Sequence, residues 1–585
     1  METIRLLKHH FEVPQPILLT AHTNVAVDNL AEGCRQAGLR VVRAGSSPKA
    51  AGGAAGELRQ QEASQSTSSA DPTSAAATIR QQSGHVGRPE LAECTLDHLM
   101  SKHPAKGDLD SLTSRLITAR MRLGEMYAAL EHAGKGVSII TQAEETGEVA
   151  TEEGEDATMP IMPSMSNPSS GVSKSAAKSL PKPDEVAAVR KQVAKLAQRV
   201  FLQTQVILSH ILHSADVVCT TALSASSTSL RSIDFPVVFF DEGSMATEPV
   251  ALVPLMKGCE HLAIIGDHRQ LPPVVSSSAA RAGGLSQSLF ERLMAREDGS
   301  KSDGGAPEPI PVQEDDCGTF IPSTMLTVQH RMHPTLSAFP NEAFYDGALQ
   351  DGARTTTLEP LKTGFSARLS NARIAFLNHS AGESRMDNSL QNTFEARLAC
   401  DLVASLLLRN PTLRGDDIGI VTPYIAQVLL LSRMLRADFG SEMRQRMARV
   451  LADMDAATRE ATLQQLVAAG TSLSERAKAA LDVEAHTVDG FEGREKAAIV
   501  FSTVRTNSAG YVGFLADGRR LNVALTRAQR GLYLLGHLAT WERARLGEVG
   551  DREMERSDVG LLKTFAAHLK EAGAVLDVRN DGFQL

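Results

Sequence analysis

Phe235-Pro236-Val237-Val238-Phe239-Phe240-Asp241-Glu242 is an apolar run that ends in two carboxylates. A strand buried on both faces reads as a continuous apolar stretch, so its last polar residues stand at the rim of a sheet. That placement suits Asp241 to hold a magnesium ion through its water shell, and Glu242 to orient or deprotonate an attacking water. A second apolar run ends in Gly266-Asp267-His268-Arg269-Gln270-Leu271-Pro272-Pro273. Beside the first strand, Gln270 would sense a terminal phosphate, and ATP with Mg2+ is the expected cofactor pair. Nowhere in the chain is there a Gly-x-x-x-x-Gly-Lys-Ser/Thr phosphate loop.

Working outward, Ile17-Leu18-Leu19-Thr20 reads as a buried strand, Asn24 to Leu30 as the opening of a helix, and Leu39 to Arg43 as a further strand. Val217 to Thr220, Val237 to Phe240 and Leu262 to Ile265 continue the series. A second series is expected at Arg373–Phe376, Ile418–Val421, Ala498–Phe501 and Leu532–Leu535. Helical apolar spacing marks Leu109 to Leu130 and Glu185 to Leu212, and Ser441 to Leu481 is Ala-, Arg- and Leu-rich. Gly45 to Gly87 and Glu144 to Pro183 have the composition of linker, and Arg296 to Gly318 that of a hinge or loop.

Composition narrows the class. The 585 residues carry 60 Lys and Arg against 69 Asp and Glu, a formal charge of −9, so any nucleic-acid partner must be met by a local groove. Six cysteines without metal-ligand spacing argue for reduced thiols inside the cell, and against a zinc module or disulfide framework. There is no apolar signal core and no run of membrane-spanning length, so no membrane partner is expected. Nuclear and cytoplasmic locations are both open.

Several stretches together resemble superfamily 1 helicases. Asp241-Glu242-Gly243-Ser244 and Gly266-Asp267-His268-Arg269-Gln270-Leu271 resemble motifs II and III, and Gln329-His330-Arg331-Met332-His333-Pro334 resembles motif IV. Val488-Asp489-Gly490-Phe491-Glu492-Gly493-Arg494-Glu495 resembles motif V, and Arg519 to Ala528 resembles motif VI. The likeness is to the 5′-to-3′ branch that holds the nonsense-mediated-decay and senataxin-like helicases, and it covers most of 17–45 and 214–540. It implies an α/β fold of two RecA-like doubly wound parallel-sheet lobes. The implied domains are 1–45 as the start of lobe 1, 46–213 as a partly helical insertion and 214–295 as the rest of lobe 1. A linker at 296–321, lobe 2 at 322–545 with a helical insertion near 441–481, and a tail at 546–585 follow.

The resemblance also implies roles. Arg331 and Arg527 would neutralise charge on the transferring phosphate, since a planar guanidinium meets two oxygens at once. Glu495 would accept a hydrogen bond from the ribose, and His330, where the family commonly has Tyr, would stack on the base. Asp267 and Gly493 complete the expected nucleotide site. Single-stranded RNA or DNA would run past Thr23 and Asn24 (motif Ia), Thr220 and Thr221, Thr422 and Tyr424, and Thr487 and Asp489. Hydroxyls and helix-terminal amides grip a phosphate backbone without reading bases, although Thr and Asn at strand ends also make ordinary turns and caps. The 46–213 insertion is a place for protein partners.

One departure divides the reading. The helix that follows a phosphate loop survives as Thr3 to Phe11, so Met1 is expected to fall inside a truncated reading frame. A loop upstream makes the gene product an ATP-driven helicase or translocase. True loss of the loop leaves a strand-binding remnant that does not hydrolyse ATP.

Overall fold

The computed structural model describes residues 1–13, 15–45, 89–132, 180–297, 323–365, 369, 371–436, 440–545 and 556–578. The acidic run 144–156 and the stretches 46–87 and 298–321, assigned to linkers, lie outside the described residues. Two parallel α/β sheets dominate. The first has strand order β2-β3-β1-β4-β5, from β1 (Ile17–Ala21), β2 (Val41–Arg43), β3 (Val217–Thr221), β4 (Val237–Asp241) and β5 (His261–Ile264). These five pair in unbroken order, and at the β5 edge Leu262 is 39% and Ile265 41% exposed.

By packing, the chain divides into two units, residues 1–20, 27–238 and 254–262, and residues 21–26, 239–253 and 263–585. In the first, β2 and β3 run parallel with Val41 beside Val217. Asp216, just before β3, takes two N–H groups of the Arg40 side chain and the Arg40 backbone N–H, which fixes the register. Arg43 and Asp28 form a buried ion pair at 2.8 Å. Helices Lys106–His132 and Pro183–His213, in the two stretches with helical apolar spacing, pack through Leu116, Ala119 and Leu196.

The second unit contains a short parallel pair, β6 (Val328–Gln329) with β7 (Gln350–Asp351). Its main sheet is ordered β12-β11-β13-β14-β8-β15. The strands are β8 (Ile374–Asn378), β11 (Ile418–Thr422), β12 (Glu484–Thr487), β13 (Lys496–Ser502), β14 (Ala528–Gly536) and β15 (Val575–Asp577), with β9 (Ser384–Met386) and β10 (Ser389–Gln391) as a separate hairpin. The central strands are apolar end to end because helices cover both faces. On one face lies the helix Thr393–Arg409, almost wholly buried and started by Asn392, whose side chain accepts the Glu395 N–H at 3.1 Å. Such a cap contributes about 1 kcal/mol. On the other face Phe376 meets Trp541 edge-on at 5.0 Å, both fully buried. Residues 556–578, within the segment assigned to a tail, supply a helix and the edge strand β15, which pairs with β8.

Among the described residues no helix is long and apolar enough to cross a membrane. Cys34, Cys94, Cys219, Cys259 and Cys400 are free thiols.

Candidate active site

Every residue assigned to nucleotide chemistry lies in the second unit. Asp241 is the last residue of β4, and Glu242 follows it in the left-handed region at φ +53°. A non-glycine residue pays strain for that conformation, and strain of this kind gathers where a side chain must be aimed. The Gly243 N–H donates to the Ile265 carbonyl at 2.9 Å, tying the turn to the end of the β5 segment. The Ile264 side chain occupies the space a Cβ at Gly243 would need, so glycine here is set by close packing. Burial raises the Asp241 carboxyl above its ordinary range. Glu242 is raised too, first by burial and then by the Asp241 charge, while Arg527 and Arg331 oppose the shift.

Gln270 and Arg527 meet directly: Arg527 Nη2 donates to Gln270 Oε1 at 2.8 Å. Gln270 Nε2 in turn donates to Asp267 Oδ2 at 2.8 Å, and Asp267 Oδ1 accepts the Arg269 N–H at 2.8 Å. The Tyr345 hydroxyl donates to Asp267 Oδ2 at 2.6 Å and accepts from Asn522 Nδ2 at 2.9 Å. Asn522 Nδ2 also reaches the Arg269 carbonyl at 3.0 Å. Arg527 is only 2% exposed, and its Nε donates to the Val523 carbonyl of the preceding helix, Gly518–Leu525. Desolvation, then repulsion from Arg331, lowers its pKa to about 10.

Arg331 lies close by. Its Nη1 donates to the Thr526 carbonyl at 3.0 Å and its Nε to Glu495 Oε2 at 2.5 Å. Glu495 also accepts from Gln529 at 2.9 Å, so the carboxylate expected to meet a ribose is paired here with an arginine and an amide. His330 is exposed. Gly493 has φ +71°, a turn that a side chain would strain.

The residues expected to face a strand divide by accessibility. Thr220, in the first unit, and Thr422 are fully buried. In this conformation their hydroxyls face the interior, so only a rearrangement would bring them to a phosphate backbone. Thr221 donates to Ser224 Oγ at 2.9 Å and is partly accessible. Thr23 accepts the Ala26 N–H at 3.2 Å as a cap, with Asn24 partly accessible beside it. Tyr424 is 5% exposed and packs edge-on to Phe514, over which Arg520 lies at 5.4 Å. Asp489 accepts from Arg520 Nε at 2.9 Å and Nη2 at 3.2 Å, and Thr487 accepts the Gly490 N–H at 3.1 Å.

Two family models, each described as an AAA domain, match residues 1–278 and 285–539. The regulator of nonsense transcripts 1 homolog of Neurospora crassa is 32% identical over 349 residues, 59% of this chain and 26% of that protein. The chain belongs to the superfamily 1 helicases. The ATP-dependent helicase NAM7 of Saccharomyces cerevisiae is 31% identical over 379 residues, 64% of this helicase chain and 31% of NAM7. Helicase sen1 of Schizosaccharomyces pombe is 31% identical over 336 residues, 56% of this chain and 16% of that protein. The chain thus spans less than a third of the length of these relatives.

Within this candidate site, sequence reasoning missed Tyr345 and Asn522. Asn522 sits inside the stretch quoted for motif VI, so the signal was present but not assigned. Tyr345 is a lone aromatic at the end of the helix Pro334–Tyr345, and only folding brings it to Asp267.

The donor set fits the expected magnesium. Asp241 offers a hard oxygen at a strand end. One carboxylate with the remaining positions filled by water and phosphate oxygens is how Mg2+ is commonly bound in nucleotide sites.

Proposed function

We propose that this chain carries the motor of an ATP-dependent helicase or translocase acting on single-stranded RNA or DNA, with 5′-to-3′ polarity. The observation that carries the reading is the Arg527–Gln270 hydrogen bond, which joins an arginine suited to a phosphate with a glutamine suited to sense it. Asp241 would hold Mg2+, which supplies charge neutralisation on the phosphates when bound. Glu242 would accept the proton of the attacking water, and Arg331 and Arg527 would steady the charge that develops. Names such as ATP-dependent helicase among the relatives support the same reading.

The absence of a phosphate-loop run from the 585 residues supports a second reading for the chain by itself, strand binding without turnover. Strand affinity and ATP hydrolysis, measured on this chain and on a longer form given a phosphate-loop segment ahead of Met1, separate the two. The motor reading expects strand-stimulated hydrolysis in the longer form, and binding that weakens steeply with salt. A longer form that contains the loop and still does not hydrolyse ATP would defeat it.

A further inference from the structure

The helix Gly518–Leu525 meets its surroundings at several points along one face. Arg519 and Asn522, three residues apart, share that face, and Arg527 follows just past the helix end. Arg519 Nη2 donates to Glu291 Oε1 at 2.6 Å, and Asn522 Nδ2 to the Arg269 carbonyl at 3.0 Å. Arg527 Nη2 then donates to Gln270 Oε1 at 2.8 Å. Turning the helix about its axis would break all three contacts together. Arg520 is committed to Asp489 and Asp517, so Arg519 is the arginine of this turn that reaches Glu291.

Glu291 is itself fixed from the other side. It stands in the first turn of the helix Leu289–Glu297, where its N–H donates to Ser288 Oγ at 3.0 Å. Ser288 is fully buried and bridges Thr247 in antiparallel fashion. Arg292, the next residue, donates to both Glu248 oxygens, at 2.8 and 2.6 Å. Glu248 opens the helix Glu248–Leu255, shortly after the turn that carries Asp241 and Glu242. The Glu291–Arg519 pair therefore joins the segment of the two carboxylates to the segment of Arg527. Both side chains are partly exposed, and an ion pair of that kind contributes little to stability.

We propose that Glu291 is a positioning residue of the hydrolysis site, which through Arg519 sets the rotation of the helix Gly518–Leu525 and so the place of Arg527 against Gln270. The inference rests on the nucleotide reading above and names what holds one of its arginines in register. A phosphate-directed group misplaced by a fraction of its reach loses much of its effect on rate, while the fold is kept.

The first test uses the 585-residue chain and needs no nucleotide. The buried Arg527 Nε–H, held by the Val523 carbonyl, gives a protected arginine side-chain signal in a 1H–15N spectrum, identified by its loss in Arg527→Lys. Gln270→Ala shows where that signal moves when the Gln270 contact is broken. Glu291→Ala and Arg519→Ala are each expected to move it in the same direction, with the urea midpoint unchanged. The exchanged pair, Glu291→Arg with Arg519→Glu, is expected to bring it back. The second test measures ATP hydrolysis in a form given a phosphate-loop segment ahead of Met1. There each Ala variant is expected to lower kcat by about tenfold with KM within about twofold. The double Ala variant should be no slower than either single, because one interaction is lost in all three, and the exchanged pair should recover most of the rate. An unmoved Arg527 signal in Glu291→Ala would overturn the proposal. So would losses of rate that add in the double variant, or an exchanged pair that restores neither signal nor rate. If the signal moves as expected and the loop-bearing form with native Glu291 does not hydrolyse ATP, the nucleotide reading fails, and the positioning role in hydrolysis with it.

Discussion

Arg527 donates to Gln270 at 2.8 Å although 257 residues separate them in sequence, and the arginine is almost sealed from solvent. A guanidinium held at one end by the Val523 carbonyl and at the other by Gln270 has a fixed position. Replacing Arg527 by Ala is therefore expected to lower hydrolysis by about 10³-fold or more, the scale of an arginine finger. Arg527→Lys should recover little of it, since an ammonium cannot reproduce the fork. Steady-state ATPase assays on folded variants check this, and a near-normal rate in Arg527→Ala would make the residue structural.

Gln270 links that arginine to Asp267. Gln270→Ala is expected to keep strand affinity while reducing strand-stimulated hydrolysis by about tenfold or more, the value of a hydrogen bond to a charged group. Fluorescence anisotropy on a labelled oligonucleotide, run beside the ATPase assay, measures both quantities. A loss of affinity equal to the loss of rate would show that Gln270 supports folding of the groove and not communication.

Glu242 must be ionised to take a proton, and its carboxyl is raised above the ordinary value of 4.5, by burial first and by Asp241 second. The active form is thus present above the raised pKa and is lost as pH falls through it. The acid limb of the rate profile is expected at higher pH than for a free glutamate. Glu242→Gln should bind nucleotide and not turn it over. Sustained hydrolysis in that variant would remove Glu242 from the mechanism.

Glu395 carries a stability prediction away from the chemistry. It is fully buried and accepts from His379 at 3.1 Å, from the Ser502 hydroxyl at 2.6 Å and from the Val504 N–H at 2.9 Å. Val504 has φ +68°, a conformation a β-branched residue holds only when its surroundings fix it. Glu395→Ala removes the common acceptor, and a loss of about 3–5 kcal/mol in urea-unfolding free energy is expected. A change within experimental error would show that the strained turn is held by packing alone.

Much of the fold was legible because buried parallel strands write themselves as apolar runs. β1, β3, β4, β11, β13 and β14 fall where such runs predict them. β12, spelled Glu484-Ala485-His486-Thr487, stands at the sheet edge with each residue half-buried, and such a strand has no apolar signature. β15 is three residues long and pairs with a partner about 200 positions earlier, a relation no local pattern records. In the site, Asp241, Glu242 and Gln270 were readable from strand ends, and the two arginines from motif resemblance. The Tyr345–Asp267 and Asn522–Arg269 contacts were not, because they join distant segments through single side chains. The burial of Thr220 and Thr422 was equally hidden, since a threonine at a strand end has the same sequence whether its hydroxyl points out or in.

The most direct test is ATP hydrolysis by the protein given a phosphate-loop segment ahead of Met1, with and without single-stranded RNA or DNA, with Glu242 native and as Glu242→Gln. The account predicts hydrolysis stimulated by the strand in the wild type and absent in the variant. Hydrolysis that ignores the strand, or that survives in Glu242→Gln, would contradict it.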